Sequence, residues 1–186
     1  SLYDEFVERA VASISDYRLG NPLDTNTTMG PMAHLRFADT VRRQTAAAVA
    51  AGATAHIATM DADDGGAYLT PQLLTGVTHD MEVMREESFG PVVGVMKVSG
   101  DDEAVALMND SRYGLTASLW TPDLERAARV GDRVETGTVF LNRADYLDPG
   151  LCWTGVKDTG RGGGLSVIGY HNLTRPKSYH LKKVTS

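Results

Sequence analysis

Apolar positions fall into two alternating rhythms along the chain. Leu2, Phe6, Ala10, Ile14 and Tyr17 recur at helical spacing with Asp4, Glu5, Glu8 and Arg9 on other faces, which predicts an amphipathic helix stopped by Gly20-Asn21-Pro22. A polar loop from Leu23 to Pro31 follows. Met32 to Ala51 is Ala-rich, carries Leu35, Phe37 and Val41, and is closed by Gly52, so it predicts a second helix. Thr54 to Thr59, Tyr68 to Thr75, Pro91 to Val98, Leu115 to Trp120 and Gly137 to Asn142 predict strands. Pro71 marks its run as an edge or a bulge, and Pro91 to Val98 is the most apolar of the five. His79 to Glu86 reads as irregular and polar.

Between the later strands, Asp101 to Asn109 predicts a helix capped by Asp101 or Asp102. Thr121-Pro122-Asp123 opens another, with proline in its first turn, carrying Leu124, Ala127, Ala128 and Val130. Leu165 to Leu173 predicts a short helix, and Ser178 to Val184 a last strand with Tyr179 and Leu181 on one face. Short apolar strands alternating with helices predict an α/β fold, a partly parallel sheet covered by helices with a C-terminal strand. Residues 1–174 read as one body and 175–186 as a tail. Arg143 to Gly164 is glycine-rich and too long for a plain connection, which points to a functional loop.

Composition narrows the function. The chain has 186 residues and a net charge of -6, so it lacks the surplus of Lys and Arg that neutralises phosphates in nucleic-acid binders. No run approaches the length of a membrane-spanning helix, and the opening residues do not resemble a signal peptide. The single cysteine, Cys152, fits a reducing compartment, so a cytoplasmic location is expected. The five histidines show no metal-ligand spacing, and no metal is expected.

Candidate chemistry gathers in Glu86-Glu87-Ser88-Phe89-Gly90-Pro91-Val92, where two carboxylates, an aromatic and a Gly-Pro break meet the mouth of a strand. Gly160 to Gly164 suits either an anion nest or a flexible loop, but it does not complete a G-x-G-x-x-G pattern.

The stretch at Glu86 resembles the E-E-x-F-G-P-V signature of the aldehyde dehydrogenase superfamily. Further segments resemble that family in order: Leu2-Tyr3-Asp4-Glu5-Phe6-Val7, Gly20-Asn21-Pro22-Leu23-Asp24, Met29-Gly30-Pro31, Tyr68-Leu69-Thr70-Pro71, Asn109-Asp110-Ser111-Arg112-Tyr113-Gly114-Leu115 and Gly137-Thr138-Val139-Phe140-Leu141-Asn142. Where many members have P-F-G-G-x-K-x-S-G, this chain has Cys152-Trp153-Thr154-Gly155-Val156-Lys157-Asp158-Thr159-Gly160, a divergent version.

The resemblance implies the C-terminal part of an NAD(P)-dependent enzyme that oxidises an aldehyde to a carboxylic acid through a cysteine thiolate. It places that nucleophile, the glutamate base and the dinucleotide-binding domain upstream of the matched segments. No catalytic residue is therefore assigned here, and the chain alone is expected to be inactive. Glu87 resembles the carboxylate that accepts from the nicotinamide-ribose hydroxyls; its bland alternative is a solvated loop residue. Phe89 resembles the aromatic packed beside the nicotinamide; its alternative is a core anchor. Trp153 and Tyr146 match a loop that lines the aldehyde pocket, or simply pack that loop. Asn142 is expected to bond loop backbone, and Cys152 to be inert. The family implies a homo-oligomer joined through Lys177 to Val184. The alternative function is a non-catalytic assembly module built on the same fold.

Overall fold

The computed structural model describes residues 2–144 and 146–184. Two compact units divide between Val98 and Ser99, a division the amino-acid pattern does not announce.

The first unit contains helices α1 (Tyr3–Ser15), α2 (Leu35–Ala50) and α3 (Glu82–Arg85), with strands β1 (Thr54–Ala55), β2 (Gln72–Thr75) and β3 (Val92–Val95). The strands form one sheet in the order β1-β2-β3. β1 runs antiparallel to β2, whereas β2 and β3 are parallel, with Gln72 opposite Val92 and Thr75 opposite Val95. Leu73 and Leu74 point to opposite faces and both are buried, Leu74 completely at 0% exposure. Leu74 packs with Ala48, Ala53 and Val77, and Met81, Val83, Met84, Val92 and Met96 close around them.

Three expectations are corrected here. Pro71 does not mark an edge: it stands one residue before β2, the central strand, where its missing N–H costs no ladder bond. The run from Thr54 to Thr59 pairs as a strand over only two residues. Beyond them the Gln72 side-chain amide takes over, accepting from Ile57 N–H at 3.1 Å and donating to Ile57 C=O at 2.6 Å. His79 to Glu86 is not wholly irregular, because α3 forms within it and Arg43 of α2 grips Glu82 with both guanidinium nitrogens.

The second unit contains α4 (Asp101–Asn109), β4 (Tyr113–Gly114), β5 (Thr116–Leu119), α5 (Leu124–Gly131), β6 (Thr138–Leu141), β7 (Trp153–Thr154), β8 (Val156–Lys157), β9 (Gly163–Gly164) and α6 (Ser166–Leu173). β5 and β6 are parallel, so both units carry the parallel pairing expected of an α/β fold. Val105, Ala117 and Val134 form a core cluster with Val130 against them, and Ala127 and Phe140 are also buried.

Gly100, not an aspartate, occupies the N-cap of α4. The acids Asp101, Asp102 and Glu103 fill its first turn, where the helix dipole favours negative charge. Asp123 caps α5, its carboxylate accepting from Arg126 N–H at 2.9 Å, which leaves Pro122 outside the helix rather than in its first turn. Arg143 to Gly164 is not a structureless loop: β7, β8 and β9 lie within it, β8 pairing with β4 and β9 with β7. The expected last strand does not pair with this chain's own sheets: residues 174–184 carry no regular structure, and Tyr179, Leu181 and Val184 are exposed.

Replacing Leu74 with alanine removes a side chain that has no exposed surface, and should lower unfolding free energy by about 2–5 kcal/mol. Val93→Ala, at a half-exposed position of β3, should cost a small fraction of that. Urea denaturation midpoints of the two variants check the difference.

Candidate functional site

The segment between α3 and β3 is fixed at both ends and free in the middle. At its start, Glu86 N–H donates to Glu82 C=O at 2.9 Å. At its end, Pro91 C=O accepts from Gln72 N–H at 2.7 Å, and Val92 N–H bonds back to Gly90 C=O at 2.8 Å. Gly90 lies against α2 so closely that a Cβ there would sit 2.5 Å from Val41 Cγ2 and 3.3 Å from Met32 Cε. No side chain fits, so glycine is required by space.

Glu87 and Phe89 lie in this anchored bend. Glu87 is exposed and makes no hydrogen bond or ion pair among the described residues. Phe89 is 82% exposed, so this chain's own core does not bury it, and its backbone is left-handed at φ +48°. An aromatic side chain turned to solvent on a strained backbone loses burial and gains nothing from its own fold. The bend precedes β3, so it sits at the amino end of the parallel pair, not at the carboxyl end where open sheets usually bind ligands.

The same helix α2 holds the adjoining loop through Arg42. Its guanidinium donates to Gly66 C=O and Tyr68 C=O, both at 2.6 Å, and to Asp63 Oδ1 at 3.1 Å. Asp63 Oδ2 accepts from Thr70 N–H at 2.7 Å. The Asp63 side chain is only 12% exposed. Burial pushes its carboxyl upward, yet the bonds from Thr70 and Arg42 outweigh burial and hold it below the usual carboxylate range. The Arg42-Arg43 pair in an alanine-rich helix is the one sequence signal of this hub, and it does not say which segment each arginine will hold.

Trp153 and Tyr146 belong to the second unit. Trp153 is half-buried on β7, opposite Gly164 of β9. Tyr146 is half-exposed, with the Arg143 guanidinium 3.6 Å from its ring centroid. Cys152 is half-buried with Sγ 2.7 Å from the point where a Cβ of Gly163 would stand. Asn142 bonds backbone as expected: Oδ1 accepts from Thr121 N–H at 3.0 Å and Nδ2 donates to Thr121 C=O at 2.9 Å. Glu87 and Phe89 are thus neighbours on one bend, and Trp153 and Tyr146 share one loop region of the other unit. No group of three or more His, Cys, Asp and Glu suited to a metal occurs among the described residues.

The model of the aldehyde dehydrogenase family matches residues 1–179. The chain is 40% identical to the succinate-semialdehyde dehydrogenase [NADP(+)] of Deinococcus radiodurans over 95% of its own length and 37% of that enzyme's. It superposes on a succinic semialdehyde dehydrogenase from Streptococcus pyogenes solved with NADP+ at a TM-score of 0.84 and 32% identity, covering 91% of this chain and 37% of that one. A betaine aldehyde dehydrogenase from Staphylococcus aureus solved with NAD+ also gives 0.84, at 30% identity, covering 92% and 35%. The chain therefore spans less than two fifths of the length of these relatives.

Two outcomes follow from the geometry. Gly90→Ala forces a methyl into Val41 and should destabilise the protein by about 1–3 kcal/mol, read from its urea midpoint. For Asp63, the folded-state pKa lies below the unfolded value of about 3.9. Its contribution is therefore whole above that value and is lost as pH falls through the folded one. Melting temperature should drop less steeply below about pH 4 in Asp63→Asn than in the parent protein.

Proposed function

Because this chain belongs to the aldehyde dehydrogenase family, we propose that it is part of an NAD(P)-dependent enzyme oxidising an aldehyde to a carboxylic acid. The observation that carries the assignment is the pair on the bend: a carboxylate without a partner among the described residues beside an exposed phenylalanine. An ionised carboxylate only accepts, and its two oxygens can take both hydroxyls of a ribose. Such charge-assisted bonds contribute about 1.5–3 kcal/mol each. The exposed Phe89 ring offers an apolar face to a nicotinamide. These residues fit NAD or NADP, which when bound supplies the hydride acceptor. The chain's own task is to hold and orient it.

Trp153 and Tyr146 line the aldehyde pocket in this proposal. Residues 1–174 are the catalytic-domain segment and 175–186 the oligomerisation tail, whose exposed Tyr179, Leu181 and Val184 gain burial from a second copy. Cys152 takes no part as nucleophile: its sulfur packs on Gly163. The isolated chain gives no turnover, and the enzyme works in the cytoplasm, where Cys152 stays reduced.

In the full-length enzyme, Glu87→Gln should raise the KM for NAD or NADP by at least about tenfold, the equivalent of 1.4 kcal/mol. The aldehyde KM should move far less. An unchanged cofactor KM contradicts the assignment. Steady reduction of NAD or NADP by the purified 186-residue chain with an aldehyde would overturn the claim that it is inactive alone.

A further inference from the structure

Lys157 is unusual twice over. It has a left-handed backbone, φ +56°, without being glycine, and its side chain is 23% exposed although it carries a charge. The ammonium is held by three acceptors. Its Nζ donates to Asn109 C=O at 2.7 Å and Ser111 C=O at 3.0 Å, and pairs with Glu135 Oε2 at 2.7 Å. Asn109 is the last residue of α4, so the cation sits where that helix leaves carbonyls without partners and its dipole is negative.

Asn109 ties the same point to a third segment. Its Nδ2 donates to Arg133 C=O and its Oδ1 accepts from Glu135 N–H, both at 2.8 Å. Two stretches far apart in the chain, one around Asn109 and one around Lys157, thus meet in a polar clamp closed by Glu135.

The clamp lies four residues from Trp153, and little slack separates them. Lys157 pairs with Tyr113 across β8 and β4, Asp158 N–H donates to Arg112 C=O at 2.9 Å, and Gly114 N–H donates to Thr159 Oγ1 at 2.8 Å. On the other side, a Cβ on Gly137 would lie 1.7 Å from Thr154 C=O, so the backbone next to Trp153 rests directly on Gly137. Thr154 Oγ1 donates to Gly162 C=O at 2.7 Å. The Trp153 backbone is held between these fixed points.

We propose that Lys157 is a positioning residue: by clamping the end of α4 and Glu135 it sets the place of Trp153, and so the length of aldehyde the pocket accepts. The proposal rests on Trp153 lining that pocket, as put forward above. Lys157 itself touches neither substrate nor cofactor. It acts through the backbone, so its loss displaces Trp153 without emptying the site.

The test uses the full-length enzyme and a series of straight-chain aldehydes. Lys157→Met should change the ratio of kcat/KM between long and short aldehydes by about tenfold, the scale on which small displacements and pocket contacts act. The KM for NAD or NADP should stay within about twofold, below the resolution of one hydrogen bond. Glu135→Gln, which leaves the lysine and removes its carboxylate, should shift the ratio in the same direction by less, and it decides the matter if Lys157→Met does not fold. A lower melting temperature with an unchanged ratio would reduce Lys157 to a stabilising residue and overturn the proposal. Trp153→Ala separates the two claims. If it shifts the ratio while the clamp variants do not, the positioning role is wrong and the pocket stands. If it leaves the ratio unchanged, the pocket assignment fails and the proposal with it.

Discussion

Residue 90 has no space for a side chain, and the candidate site in the first unit depends on that. With Val41 Cγ2 2.5 Å from the missing Cβ, the chain after the bend is pressed onto α2. Helix α2 in turn is fixed from two further directions, by Arg42 holding the loop that leads to β2 and by Arg43 gripping Glu82 of α3. The bend is thus a short span between a helix that ends at Arg85 and a glycine that cannot move away. A span so confined can hold Phe89 in a left-handed conformation, because its neighbours determine its path more strongly than its own preference does. Rigid support beneath exposed side chains is what a binding site needs if ligand contacts are not to be offset by ordering the loop.

The second unit solves a similar problem with polar contacts. Its main core cluster is small, Val105, Ala117 and Val134 with Val130 beside them, while its strands from Trp153 to Gly164 are only two residues long. Ladders so short hold little by themselves. Side chains make up the difference: Lys157 and Asn109 bridge to backbone carbonyls, and Asn142 copies a ladder pair onto Thr121. Gln72 does the same for Ile57 in the first unit.

Much of this was legible in the sequence. The two rhythms of apolar spacing locate α1, α2, α4 and α5 and the parallel strand pairs, because helix and strand faces are local properties of a dozen residues or fewer. The motif stretch at Glu86 marks the candidate site for the same reason. What failed depended on partners distant in sequence. Pro71 reads as an edge signal until β3 arrives and makes β2 central. Thr54 to Thr59 reads as a full strand until Gln72 captures Ile57. Ser178 to Val184 has the alternation of a strand, yet alternation gives only the face, not a ladder to pair with, and none forms among the described residues. The roles of Arg42 and Lys157 were invisible, since a basic side chain in a sequence does not declare which carbonyls it will reach.

In the proposed enzyme, Glu87 grips the nicotinamide ribose. A crystal structure of the full-length enzyme with NAD or NADP bound tests it most directly. Both Glu87 carboxylate oxygens should lie within about 3 Å of the ribose hydroxyls, with the Phe89 ring against the nicotinamide. A bound cofactor with Glu87 still facing solvent would contradict it.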